Sequence, residues 1–352
     1  MLTKSQIPTP ALLLDADLLE SNLARMAQRV KQSGKQLRPH AKAHKCFEIA
    51  RRQIAHGACG ISVATVAEAE LMANHAIPGI LLTSPLADPA KIARIAATGA
   101  MAVVDHVRQV EWYEAAAARP IDLLIDLDVG DHRTGARSPA QALAIARAIA
   151  QSPHLRLRGL QAYSVSGSHG ADPGARRHIS QSAFQTAAAI RDLLASEGFP
   201  AGILSGGSTG TWDIDLDLSE VTELQAGSYV MMDLAYRRLG IDFPHAMTIL
   251  STVVSANHDL FVTLDAGFKA FATDRGYGPE PVFPAGAKYR WGGDEFGFLD
   301  ASLDASVETK PGLGDRVELI APHCDPTVNL YDRIYVCRGE SVEAVWPVME
   351  RS

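Results

Sequence analysis

At 352 residues the chain is long enough for two domains, or for one large barrel with an appendage, and its composition (47% hydrophobic, 21% charged) is that of a globular protein. A formal net charge of -7, with no basic patch interleaved with aromatics, argues against a nucleic-acid partner. Cys46, Cys59, Cys324 and Cys337 stand apart with no C-x-x-C pair, the opening MLTKSQIPTPALLLDADLL lacks a signal-peptide core, and no apolar run is long enough for a bilayer, so a soluble cytoplasmic protein with reduced thiols is expected.

In chain order, a short strand at 10–15 is followed by an amphipathic helix through SNLARMAQRVKQSG, stopping at Gly34. Next comes RPHAKAHK, residues 38–45. As a strand it places Arg38, His40, Lys42 and His44 on one face. Neighbouring positive charge and desolvation would hold Lys42 partly neutral, as a Schiff-base nucleophile requires, although a solvated basic edge strand fits the run equally well.

Apolar runs then recur at ISVAT, ILLTS, MAVVD, DLLIDLDV, LRGLQAYS, AGILSGG and ELQAGSYV, separated mostly by alanine-rich helical patterns. Asp88-Pro89 and Ser138-Pro139 are helix-opening pairs. With the lysine strand this makes eight strands alternating with helices, which predicts a TIM-like (β/α)8 barrel over residues 16–244; an open doubly wound sheet is the alternative. Beyond Pro244 the helical periodicity gives way to strands such as TILSTVVSAN, RVELIAPHC and SVEAVWPV, a mostly β C-terminal domain at 245–352 that residues 1–15 are expected to join.

Several positions carry candidate chemistry. In APHCDPTVNLYD, His323 and Asp325 share a face if the segment is extended, with Cys324 pointing away, and an imidazole with a carboxylate makes a divalent-metal pair; a buried histidine oriented by a carboxylate is the commoner arrangement. SGGSTGT (205–211) and the turn at Gly227, Ser228 and Tyr229 follow the last two barrel strands, where barrels often bind phosphate through backbone N–H groups and hydroxyls. Arg133 lies just past the fifth strand, with Tyr163 and His169 at and beyond the sixth. These suit an anion contact, a ring contact and an acid or base, or else a loop salt bridge, a core aromatic and a solvated histidine. A lysine at one end of a barrel with phosphate turns on its last strands describes a site for pyridoxal 5′-phosphate (PLP).

RPHAKAHK closely resembles the PLP-lysine motif R-P-H-x-K-T-H-K of the D-threonine aldolase and D-serine dehydratase family. The resemblance extends through DVGDHRTG, the Tyr163 region, SGGSTGT, AGSYVMMD, DEFG and PHCDPTVNLYD. It implies the alanine-racemase-like fold and a homodimer. It makes Lys42 the cofactor lysine, Arg133 and Tyr163 cofactor neighbours, and Ser208, Thr209, Gly227, Ser228 and Tyr229 phosphate contacts, and it places His323 and Asp325 on the family's metal pair. The aldolase branch resembles H-x-D and the dehydratase branch H-x-C, so Asp325 points to an aldolase with Mn²⁺ or Mg²⁺ favoured over Zn²⁺. Ala43 departs from the common threonine, and Phe296 stands where dehydratases often show histidine. The expected activity is cleavage of a D-β-hydroxy-α-amino acid, D-threonine or similar, to glycine and an aldehyde, with His169 or a metal-held hydroxide taking the hydroxyl proton. A D-serine or D-3-hydroxyaspartate dehydratase is the rival reading; an amino-acid racemase or a non-enzymatic PLP carrier fits less well.

Overall fold

β1 (Ala11–Asp15) is the run ALLLD, and α1 (Ala16–Ser33) follows it directly. The helix stops where Gly34 takes a φ of 71°, a left-handed conformation that costs glycine little. The structure, a computed structural model, describes residues 2–284, 286–300 and 310–349, so stretches 301–309 and 350–352 of the expected β domain lie outside the described residues.

The barrel strands are β2 (Gln36–Leu37), β3 (Ile61–Val63), β4 (Ile80–Leu82), β5 (Met101–Val104), β6 (Ile121–Leu127), β7 (Leu155–Ala162), β8 (Ile203–Gly206) and β9 (Glu223–Leu224). Their order is β2-β9-β8-β7-β6-β5-β4-β3, with parallel pairing throughout. A parallel bridge between His40 and Ser62 joins the two ends of this order, so the sheet closes as the (β/α)8 reading expects. Strands covered on both faces read as continuous apolar runs, and β3 and β4 are buried at every position.

The intervening helices are α2 (Phe47–Ala55), α3 (Val66–Asn74), α4 (Pro89–Thr98), α5 (Val107–Ala116), α6 (Pro139–Gln151), α7 (Val165–His169), α8 (Pro173–Ser196) and α9 (Trp212–Asp215). Asp88 caps α4 and Ser138 caps α6, each with proline in the first turn. Ile92, Ile95, Ile145 and Ile149 face the strands from these two helices. Among the described residues, no helix is long and apolar enough to cross a membrane.

The chain divides into two compact units, a barrel unit of residues 24–42 and 47–227 and a second unit of residues up to 23, 43–46 and 228 onward. The barrel unit thus ends at Gly227, earlier than the division expected near Pro244. The backbone after it is committed to the second unit: Leu234 and Ala235 donate to the carbonyls of Ala321 and Pro322, and Ala246 donates to Met231.

The second unit holds α10 (Leu234–Arg238), β10 (Met247–Ser255), β11 (Phe261–Leu264), β12 (Glu280–Pro281), β13 (Lys288–Trp291), β14 (Gly297–Asp300), β15 (Arg316–Ile320), α11 (Cys324–Val328), β16 (Arg333–Arg338) and β17 (Ser341–Pro347). Its sheet runs β13-β14-β11-β10-β1-β16-β17, with β15 pairing β10 and β12. The N-terminal strand therefore sits inside this sheet, antiparallel to β10 and parallel to β16, over a core that includes Leu13, Leu250 and Val342.

Candidate active site

The lysine segment departs from the expected strand. β2 ends at Leu37, pairing persists only to the His40 bridge, and Lys42 lies in a 3-10 turn, Ala41–Ala43, at the end of that strand. Arg38, His40, Lys42 and His44 consequently do not form one basic face. Arg38 turns into the barrel and makes a two-point ion pair with Glu223, at 2.9 and 2.7 Å. His40 Nε2 lies 3.0 Å from Thr83 Oγ1, and its Nδ1 accepts from the Lys42 backbone N–H at 3.3 Å. His44 is buried and its Nδ1 accepts from the Cys46 N–H.

Lys42 itself is exposed, and its Nζ lies 5.9 Å from the centre of the Tyr163 ring. The Arg133 guanidinium lies 5.0 Å from the same ring. Tyr163 directly follows β7, so three candidate residues from three strand ends meet around one aromatic ring. Their separation suits cation–π attraction. His169 ends α7 and is half-buried. α7 is held by Asp131, which accepts from the Ser166 hydroxyl at 2.5 Å and from the Ser166 N–H at 3.2 Å.

A polar chain lines the barrel beneath this cluster, and no local pattern in the sequence signals it. Glu223 accepts from Ser205, Ser205 accepts from Gln225, and Gln225 donates to Gln161. Gln161 in turn donates to Asp126, which also accepts from Thr134 at 2.8 Å. Burial pushes the Asp126 carboxyl up to about 6, even with both donors favouring the ionised form.

The two glycine turns follow neighbouring strands, as expected, and the Gln225 N–H donates to the Gly206 carbonyl between them. Gly207 has a φ of 74°, and a Cβ there would lie 2.3 Å from Asp215 Oδ2. A Cβ on Gly227 would lie 2.4 Å from the His40 carbonyl oxygen. Ser208 and Thr209 are buried in the first turn, where Ser208 Oγ accepts from the Gly210 N–H at 3.0 Å. Fully buried Asp215 anchors this turn by accepting from the hydroxyls of Thr211, at 2.5 Å, and Ser180. A close backbone, buried hydroxyls and positions that only glycine fits suit a phosphate group.

In the second unit, Ser228 and Tyr229 open a 3-10 turn, Ser228–Val230. Tyr229 is buried against Phe243, with ring centres 5.7 Å apart. Ser228 Oγ donates to Asp325 Oδ2 at 3.0 Å, joining an expected phosphate contact to an expected metal residue. His323 and Asp325 do not lie on an extended segment: His323 is the N-cap of α11 and Asp325 is in its first turn. Pro326, the third helical residue, is tolerated there because first-turn N–H groups lack helical partners, and it is the signal that marks this helix start. The Cys324 thiol is buried and lies 3.1 Å from Asp325 Oδ2. His323 Nδ1 meets Asp274 Oδ2 at 2.7 Å, a partner that sequence reasoning missed. Among the described residues, no group of three or more His, Cys, Asp or Glu is arranged to hold a metal. One imidazole nitrogen and one carboxylate nonetheless form a donor set that suits a hard or borderline divalent cation.

A closed parallel barrel followed in sequence by a β unit is the architecture of the alanine-racemase-like enzymes. Residues 14–235 match the alanine racemase N-terminal domain, and residues 246–337 match the putative serine dehydratase domain. The chain is 34% identical to D-threonine aldolase of Arthrobacter sp, over 99% of this chain and 93% of that one. It is 33% identical to 3-hydroxy-D-aspartate aldolase of Paracoccus denitrificans (strain Pd 1222), with the same coverage, 99% and 93%. Against D-threo-3-hydroxyaspartate dehydratase of Delftia sp. (strain HT23) the identity is 28%, over 91% and 92%. The crystal structure of D-threonine aldolase from Filomicrobium marinum matches with a TM-score of 0.93 at 34% identity, covering 98% of this chain and 96% of that one. The chain belongs to the D-threonine aldolase-like family of carbon–carbon lyases.

Proposed function

We propose that the protein is a PLP- and divalent-metal-dependent aldolase that cleaves D-β-hydroxy-α-amino acids of the D-threonine type to glycine and an aldehyde. The observation that carries this reading is the aspartate at position 325, two residues after His323, in a chain that matches aldolases over 99% of its length. PLP, when bound, withdraws the electrons released at Cα as a substrate bond breaks. A divalent cation, Mn²⁺ or Mg²⁺ before Zn²⁺, supplies charge stabilisation for an alkoxide forming at the β-oxygen.

The chain's own residues divide the remaining work. Lys42, exposed at the end of β2, supplies the anchoring amine. Arg133 and Tyr163, stacked at 5.0 Å, orient the ring and its oxygen substituents. Ser208, Thr209 and Gly227 hold the phosphate from the barrel turns, and Ser228 and Tyr229 hold it from the turn that follows. His323 and Asp325 hold the metal. His169 takes the proton from the substrate's β-hydroxyl oxygen. The active form is a homodimer, as the family resemblance implies.

Product analysis with D-threonine, D-serine and D-3-hydroxyaspartate, with and without a chelator, tests the reading. Glycine and an aldehyde, lost on chelation and restored by Mn²⁺, are expected. Ammonia and a 2-oxo acid would instead establish the dehydratase reading, which the 28% identical relative keeps in view.

A further inference from the structure

His323 sits between two charged neighbours of opposite kind. On one side Asp274 Oδ2 lies 2.7 Å from Nδ1, and on the other Arg275 Nη2 lies 3.3 Å from Nε2. A carboxylate only accepts and a guanidinium only donates. Together they select the tautomer that carries hydrogen on Nδ1 and a lone pair on Nε2. We infer that Asp274 is a positioning residue that fixes His323 with Nε2 presented to a divalent cation, and that the Arg275 guanidinium competes with the cation for that lone pair. The inference rests on the reading of His323 and Asp325 as the metal pair.

The arrangement is built into the fold of this unit. Asp274 lies on the segment between β11 and β12, distant in sequence from α11. Thr327 ties the two together: its Oγ1 accepts from the Ala272 N–H at 3.1 Å and donates to the His323 carbonyl at 2.6 Å. Tyr331 adds a second tie, donating to the Ala270 carbonyl at 3.0 Å. Further along the same segment, Arg238 packs over the Tyr277 ring at 3.6 Å. The segment is thus held at both ends, and Asp274 meets the ring at a fixed register. An outer carboxylate on the far nitrogen of a ligating histidine orients the ring and raises its basicity, and its loss typically weakens metal binding by roughly 10- to 100-fold.

The test is a Mn²⁺ titration of chelator-stripped holoenzyme, read by the electron paramagnetic resonance of free Mn²⁺, alongside a thermal melt. D274A is expected to bind Mn²⁺ roughly 10- to 100-fold more weakly than the native chain. D274N, whose amide oxygen still accepts from Nδ1–H, is expected to fall between the two. R275Q is expected to bind Mn²⁺ more tightly, and equal or weaker binding removes the competition. If D274A does not fold, D274L, which keeps the bulk but has no acceptor for Nδ1–H, decides the matter, since native affinity in D274L overturns the positioning role. Native affinity in D274A with H323A weakened sinks this inference alone. No Mn²⁺ binding by the native chain, or native affinity in H323A, overturns the metal reading and the inference with it.

Discussion

Arg38 and Glu223 face each other inside the barrel in a two-point ion pair, Nε to Oε1 at 2.9 Å and Nη2 to Oε2 at 2.7 Å, with both residues buried. Arg38 also donates to the Gly79 carbonyl, and Ser205 donates to Glu223 at 2.7 Å. The first basic residue of RPHAKAHK is therefore neutralised within the scaffold, and its charge is not spent on the lysine four positions on.

Because the pair is buried, removing one partner leaves the other charge without compensation. Glu223→Gln is expected to cost about 3–5 kcal/mol, measured by chemical denaturation. Replacing both partners with apolar residues of similar volume is expected to recover much of that loss. A double variant as unstable as the sum of the single ones would show that the two groups act independently.

Asp126 makes stability depend on pH. Burial raises its folded-state pKa from 3.8 to about 6, so the native state holds this proton more tightly than the unfolded chain does. Its contribution is complete below the unfolded value and is lost as pH rises through about 6. Asp126→Asn removes the titration. Its stability relative to the native chain is expected to improve by roughly 2–2.5 kcal/mol between pH 4 and pH 7.5, short of the full difference because the unfolded carboxyl is already partly ionised at pH 4. Urea denaturation at the two pH values reads the difference, and one that does not change with pH contradicts the assignment.

Much of the barrel was legible because parallel strands buried on both faces leave apolar runs such as ILL and MAVV between capped helices. The conformation of Lys42 was not. An alternating basic run mimics a strand, and only the long-range pairing of Arg38 with Glu223 and of His40 with Thr83 shows where the strand stops. β13, with the sequence KYRW, alternates exposed charged residues with half-buried aromatics over only four positions, so its hairpin with β14 was too short to stand out among the surrounding glycine and proline turns. Asp274 and His323 are 49 positions apart, and no local rule connects them.

The proposed phosphate turn should be intolerant of a single methyl group. Gly207 has a left-handed φ of 74°, and a Cβ would lie 2.3 Å from the buried Asp215 carboxylate that anchors the turn. Gly207→Ala is expected to cost about 1–3 kcal/mol through strain. It should also speed loss of PLP on dialysis, followed by the cofactor's visible absorbance. Retention equal to that of the native protein would remove this turn from the cofactor site.

Lys42 and Tyr163 provide the most direct test of the proposed site, because the lysine Nζ stands 5.9 Å from the ring centre. Borohydride reduction of the holoenzyme followed by peptide mapping is expected to find the cofactor label on Lys42. In Lys42→Ala the label and the visible band should both disappear while the melting curve stays close to native, since the exposed side chain contributes little to the core. Tyr163→Ala should keep the label on Lys42 but weaken cofactor retention, because it removes only a ring contact worth about 0.5–2 kcal/mol. A label on any other lysine in the native protein would refute Lys42 as the anchor, whatever the activity of the variants.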